Sequence, residues 1–218
     1  MKVMKNLIFF TFFVCLAVSI AFGQTRQTTV NPAAKKIVQA ANEIPEASWL
    51  KMADAMYQEN WETASALALQ NLQKLRIDNE KKQLAQLRYI YLYTLAGKVA
   101  EGKMTFANFE QIANSFVGQE FLLVSRQLLA DCRTKVNYIC AARDSDRVLR
   151  VTATNRAATA IHLFEYVVLD DSFDLKANNE KLAFLGGNLK KVESRLYKPD
   201  VKIARLIFDK GYVKVATD

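Results

Sequence analysis

The sequence predicts an α+β protein, with about four helices followed by a mostly antiparallel β-domain that forms a small barrel or a β-sandwich. Two patterns predict this class. Residues 38–118 carry apolar side chains at helical spacing, whereas residues 119–218 contain short runs of Val, Ile, Thr and aromatic residues between polar turns. The 218-residue chain is 51% hydrophobic with only 7 Gly and 3 Pro, which excludes disordered and collagen-like classes.

Residues 1–23 have the composition of a secretory signal peptide. Lys2 and Lys5 form a positively charged start, and the 16 residues from Leu7 to Phe22 are free of charge. That run is shorter than the roughly 20 residues of a membrane-spanning helix, and an uncleaved anchor is the alternative. Ala21-Phe22-Gly23 fits a cleavage motif before Gln24. We therefore expect cleavage near Gly23–Gln24, export to the periplasm or beyond, and no transmembrane segment in the mature chain.

Four helices are predicted after a polar linker at residues 24–37. The first begins after Pro45, Asn60 caps the second, Asp78 caps the third, and the fourth begins at Thr105. The third is expected to end at Gly97 or Gly102, and Gly118 to close the fourth. Apolar stripes mark the first three helices: Trp49, Met52, Ala53 and Met56; then Trp61, Ala64, Ala68, Leu72 and Leu75; then Leu84, Leu87, Tyr91 and Leu95.

The first helix pair, at about residues 46–76, resembles a tetratricopeptide repeat. Its first helix carries Trp49, Met52, Ala53 and Met56, and its second carries Trp61, Ala64 and Ala68 at the motif positions. The resemblance implies a helical hairpin, and because such arrays need about three stacked repeats, it does not imply an array.

Strands are predicted near 120–126, 136–143, 147–154, 160–169, 182–193, 201–208 and 212–216. Hairpin turns are expected at 155–159 and at Asp209-Lys210-Gly211, and Gly186-Gly187 indicates a bulge or sharp bend. The segment 120–132 would also suit a helix, and residues 170–181 form a loop or a short helix.

This strand count, the glycine bend and the insert before the last strands resemble the oligonucleotide/oligosaccharide-binding (OB) barrel. An immunoglobulin-like sandwich is the alternative. The whole organisation resembles that of secreted bacterial proteins with a small OB-like β-domain.

Cys132 and Cys140 would lie in an oxidising compartment after export, where a disulfide persists. Their even separation places both side chains on one face of extended chain. The alternative is a pair of buried, reduced thiols.

The chain offers few groups for catalysis. His162 is the only histidine, and on a strand it is expected to pack beside aromatic residues. No nucleophile elbow, phosphate-binding loop or dinucleotide-binding fingerprint is present in the sequence. We predict a non-enzymatic protein without metal or cofactor. The alternative is an envelope-polymer hydrolase using carboxylates near 170–174, where Asp170, Asp171 and Asp174 cluster.

The basic excess is the remaining functional signal. Without Lys2 and Lys5 the chain has 28 basic and 22 acidic residues, a net charge of +6. Odd spacing places Arg147 and Arg150 on opposite faces of a regular strand, and it does the same for Lys202 and Arg205. We therefore expect that no single basic stripe forms. We predict contact with an anionic glycan or an envelope protein, and export disfavours nucleic acid. The alternative is that the basic residues form only a solvated exterior, because a moderate net charge mainly confers solubility. A further alternative is a structural envelope component that binds a partner through its helical hairpin. The candidate binding residues are Arg143, Arg147, Arg150, Tyr166, Lys191 and Tyr197.

Overall fold

The computed structural model describes residues 44–75, 81–132, 135–142, 145, 147–198 and 201–216. Side chains are described for these residues except 81, 196–198, 201 and 202. Four helices precede seven strands, so the predicted α+β class is confirmed. The helices are α1 (Glu46–Tyr57), α2 (Trp61–Lys74), α3 (Lys81–Ala100) and α4 (Phe106–Asn114). Within the described part of the chain, none of them has the length and apolarity that a membrane crossing requires.

Local side-chain chemistry sets the helix ends. Asn60 accepts a hydrogen bond from the Thr63 amide at 3.1 Å and so caps α2. Thr105 caps α4 by accepting from the Asn108 amide at 3.2 Å. The predicted cap Asp78 lies outside the described residues. Helix α3 runs through Gly97 and ends at Ala100, two residues before Gly102, the other predicted end, which has a φ of +72°.

The strands are β1 (Glu120–Leu122), β2 (Arg126–Leu129), β3 (Ile139–Ala141), β4 (Val148–Thr154), β5 (Ile161–Leu169), β6 (Leu182–Lys198) and β7 (Val201–Val215). They form one sheet in the order β1-β6-β2-β3-β4-β5-β7, and β7 also pairs with β6. The pairings β2–β3 and β5–β7 are parallel. The sheet is therefore mixed: the other five pairings described are antiparallel, as the sequence predicts for most of the β-domain, but the two parallel pairings are not predicted.

The predicted turn at Asp209-Lys210-Gly211 is wrong, because β7 continues from Val201 to Val215. The register between β6 and β7 shifts at this point, directly opposite the predicted Gly186-Gly187 bulge. A Cβ on Gly211 would lie 2.6 Å from the Val168 carbonyl oxygen. Gly211 thus allows the backbones of two strands to approach closely within a continuous strand, and this close approach explains why the position is a glycine.

The structure decides two segments for which the sequence leaves alternatives open. The segment 120–132 forms two short strands, β1 and β2, and no helix. Residues 170–181 form turns and irregular chain, also without a helix. The hairpin at 155–159 is present between β4 and β5, where the Asn155 side chain accepts hydrogen bonds from the amides of Thr159 and Ala160.

Helices and sheet share one hydrophobic core. Helix α3 contacts β1, β5 and β7, and α4 contacts β6 and β7. The buried cluster includes side chains from both halves, among them Met52, Leu87, Leu92, Phe121, Leu163, Leu189 and Phe208. One face of the sheet is therefore covered by the core, which leaves the other face available for contacts.

Candidate functional site

The outer face of the sheet follows from the alternation of burial along its strands. In β4, Leu149 and Val151 are buried, whereas Arg150 and Thr152 are only partly buried. Successive side chains of a strand point to opposite faces, so Arg150 lies on the face away from the core.

The strand register then places basic and aromatic residues side by side. Arg150 of β4 lies opposite Tyr166 of β5, and Tyr166 lies opposite Ile207 of β7. Ile207 in turn lies opposite Lys191 of β6. Four strands thus contribute one row. The neighbouring row is Thr152, Phe164, Arg205 and Glu193, with Arg195 one step further along β6. We call these nine residues the basic face.

Two arginines of the basic face stack on its aromatic rings. The guanidinium carbon of Arg205 lies 5.0 Å from the Tyr166 ring centroid, and that of Arg195 lies 5.0 Å from the Phe164 centroid. Such contacts attract a cation to the ring and fix the guanidinium plane. Residues two apart on a strand are separated by about 7 Å. The two guanidinium groups are therefore held at a spacing of this order above β5.

The basic face is strongly positive. Four of its residues are basic, and Glu193 is its one carboxylate. Glu193 lies 2.7 Å from Lys191 Nζ and 3.2 Å from Arg205 Nη1. The hydrogen bond from Lys191, together with the charge of Arg205, lowers the pKa of Glu193. Arg150 makes no hydrogen bond or ion pair within the described part of the chain. Its charge is thus not neutralised by a described neighbour.

Among the predicted binding residues, Arg150, Tyr166 and Lys191 meet on this face. Arg147 precedes β4, is exposed, and donates to the Asp170 carbonyl instead. Arg143 lies outside the described residues, and so does the side chain of Tyr197, whose backbone belongs to β6.

The sequence reasoning missed Arg195, Arg205, Phe164 and Glu193 as members of the site. The spacing within single strands indicates that no basic stripe forms, and the structure differs on this point. The stripe instead forms across β4, β7 and β6, because pairing aligns residues that are far apart in the sequence. No signal within a single segment reports that alignment.

Cys132 and Cys140 form a disulfide, with their Cα atoms 5.9 Å apart. Cys140 lies opposite Arg150 in the β3–β4 pairing. The bridge fixes the chain that flanks the first strand of the basic face. A loop of this length is expected to stabilise the fold by about 2–3 kcal/mol.

His162 is buried where the helices meet β5. Its ring packs edge-on against Trp61 at a centroid distance of 5.1 Å and lies 6.5 Å from Tyr93. Burial lowers the pKa of His162, although the charges of Glu59 and Glu101 oppose this. The side chain is packed against aromatic rings, but these belong to α2 and α3 and not to the strand neighbours Phe164 and Tyr166 that the sequence suggests.

The acidic cluster after β5 borders a shallow groove of about 380 Å³. Asp174 lines the groove, but Asp170 and Asp171 are exposed and do not. One oxygen of Asp174 accepts a hydrogen bond from the Ala177 amide at 2.9 Å. Among the residues described, no group of three His, Cys, Asp or Glu side chains is arranged to hold a metal ion.

The fold and this site define an α+β protein with a basic, arginine-stacked sheet face. No protein family, curated protein or solved structure that we compared with the chain matches it.

Proposed function

We propose that the chain is an exported, non-enzymatic binding protein whose basic face contacts an anionic glycan of the cell envelope. The observation that carries this proposal is the stacking of Arg195 and Arg205 on aromatic rings of one exposed face. A stacked guanidinium presents its N–H groups in a fixed plane, which suits carboxylate and similar anions. Arg150 and Lys191 extend the positive surface across four strands.

Export is part of the proposal. The charged start and apolar run within residues 1–23 support a signal peptide. The Cys132–Cys140 disulfide supports it independently, because disulfides persist mainly in oxidising compartments. An extracytoplasmic location favours glycan over nucleic acid as the polyanion. The exported protein is expected to begin at Gln24, which mass spectrometry of the extracytoplasmic fraction would test.

We further propose that the sheet closes as a small OB-like barrel. Support comes from the pairing of β6 with both β2 and β7, which completes a ring through β3, β4 and β5. In OB barrels the face of the second and third strands binds oligosaccharides and oligonucleotides. In such a barrel β4 and β5 would be neighbouring strands of the wall, and they carry Arg150, Tyr166 and Phe164.

Retention on immobilised polygalacturonate, compared with neutral dextran, tests the binding proposal. We expect retention that falls as salt rises from about 50 to about 200 mM, because salt screens exposed charges. Arg150→Gln and Arg195→Gln should each weaken binding about fivefold, from roughly 1 kcal/mol per basic residue at an anionic surface. Lys51→Gln, an exposed lysine on α1, removes the same charge away from the face and should leave retention unchanged.

Equal retention on the charged and neutral matrices would overturn the proposal, as would a double arginine variant that binds like the wild type. Preferential binding to single-stranded DNA at the same ionic strength would point to a nucleic-acid ligand. Release of new reducing ends from the column would favour the hydrolase alternative.

A further inference from the structure

Glu193 has an unusual place on the basic face. It is the one carboxylate among the nine residues, and both of its oxygens are engaged. Oε1 lies 2.7 Å from Lys191 Nζ, and Oε2 lies 3.2 Å from Arg205 Nη1. A planar, two-oxygen anion therefore already bridges two cations at the β6 side of the basic face.

The cation on one side of this bridge is held in place independently of Glu193. The Arg205 guanidinium stacks on Tyr166 at 5.0 Å, and its Nε is buried without a hydrogen-bond partner in the described part of the chain. Lys191 is exposed and free to rearrange. The Arg205 half of this carboxylate-binding position therefore does not depend on Glu193 for its geometry, and Lys191 can follow the anion that is bound.

The attachment of Glu193 to this position is weak. The contacts are ion pairs at a solvent-accessible surface, and such pairs contribute little because water and salt screen them. The pKa of Glu193 is lowered, so the carboxylate stays ionised at neutral pH and competes with other anions. A polymer that brings several carboxylates at once can replace it at little cost.

We propose that Glu193 occupies the position of a ligand carboxylate and is displaced when a uronate-containing glycan binds. This inference rests on the proposed function and specifies its ligand class. The bridge between Lys191 and Arg205 accepts a flat anion with two oxygens, which is the shape of a uronate carboxylate. Glu193 acts as an internal competitor, so neutral glycans are excluded and only chains that carry carboxylates displace it.

Equilibrium binding of the Glu193→Gln variant to oligogalacturonate tests the inference. Glutamine keeps the size of the side chain but removes the competing charge. We expect binding to tighten about two- to fivefold, since an exposed ion pair is worth no more than this. The gain for a sulfated dextran oligosaccharide should be smaller, because a tetrahedral sulfate does not reproduce the planar bridge.

Asp54→Asn is the matched control, because it changes the net charge equally on α1 and should bind like the wild type. Thermal unfolding of each variant verifies that the fold is intact.

Weaker binding by Glu193→Gln would overturn the inference and make Glu193 a positioning residue. Equal gains in affinity for both polymers, or a gain in the Asp54→Asn control, would show that only the net charge matters. Either result would also overturn the inference. If the wild type binds no polyanion, the proposed function itself is wrong.

Discussion

Arg126, Glu165 and Tyr89 form a hydrogen-bonded triad inside the core. Arg126 donates to Glu165 at 3.0 Å and to the Tyr89 hydroxyl at 2.8 Å, and Tyr89 donates to Glu165 at 2.6 Å. Burial raises the pKa of Glu165, and the charge of Arg126 opposes this shift. The residues belong to β2, β5 and α3, so their mutual geometry depends on how the helix sits on the sheet. Each charge depends on its partner, because an unpaired buried charge is strongly unfavourable.

Removing one partner of this triad should destabilise the protein severely. We expect Arg126→Met to lower the free energy of unfolding by about 3–5 kcal/mol, since it leaves the Glu165 carboxylate buried without its counter-charge. Tyr89→Phe keeps the ion pair and should cost less, about 1–3 kcal/mol. Urea unfolding measures both.

The double variant Arg126→Met with Glu165→Leu serves as the control, because it removes both charges and should recover most of the lost stability. An Arg126→Met midpoint equal to that of the wild type would contradict this account of the triad.

At the scale of elements, the helices and strands differ in how local their determinants are. Asn60 and Thr105 cap helices through hydrogen bonds to amides three residues away, so the sequence alone locates these ends. Strand β7 depends instead on β5 and β6, which lie elsewhere in the sequence. Gly211 of β7 therefore has the sequence pattern of a turn residue, although in the structure it allows two strands to approach each other closely.

Gly211→Ala should disrupt the junction of β7 with β5. The new Cβ would lie 2.5 Å from Val167 Cγ1 and 2.6 Å from the Val168 carbonyl oxygen, too close for either to remain in place. We expect a loss of about 2–3 kcal/mol, typical of overpacking. Chemical denaturation of the purified variant would measure it.

Gly102→Ala provides a comparison for this change. Gly102 has a φ of +72° and open space around it, so its substitution should cost only about 1 kcal/mol through backbone strain. A Gly211→Ala variant no less stable than Gly102→Ala would contradict the close-approach explanation.

At the scale of the whole molecule, the helical and β halves depend on one another. The buried cluster draws side chains from α3, such as Leu87 and Leu92, together with Leu163 and Phe208 of the sheet. Tyr89 reaches from α3 to the ion pair of the sheet. Separating the halves would expose this apolar surface and leave the ion pair without its hydroxyl partner.

A fragment of residues 119–218 should therefore fail to fold alone. We expect it to unfold without a cooperative transition, whereas residues 38–218 should unfold in a single cooperative step. Circular dichroism during urea titration distinguishes the two outcomes. Cooperative unfolding of the fragment would show that the predicted division into 38–118 and 119–218 is one of independent domains.

Much of the secondary structure could be predicted because its causes are local. The apolar stripe around Trp61 and the turn at Asn155 are both found in the structure. The candidate site was only partly accessible to the same reasoning. Arg150, Tyr166 and Lys191 were identified by type, but the members that organise the face, Arg205 and Glu193, were not.

By itself, the sequence determined the α+β class, the order of elements and the supply of basic and aromatic residues, because periodicity and capping act within a few residues. Only the tertiary structure decided which of these residues meet. Pairing between strands fixes a register over long separations, and a shift of one residue would turn Arg205 away from Tyr166 and into the core. The basic face exists because of that register.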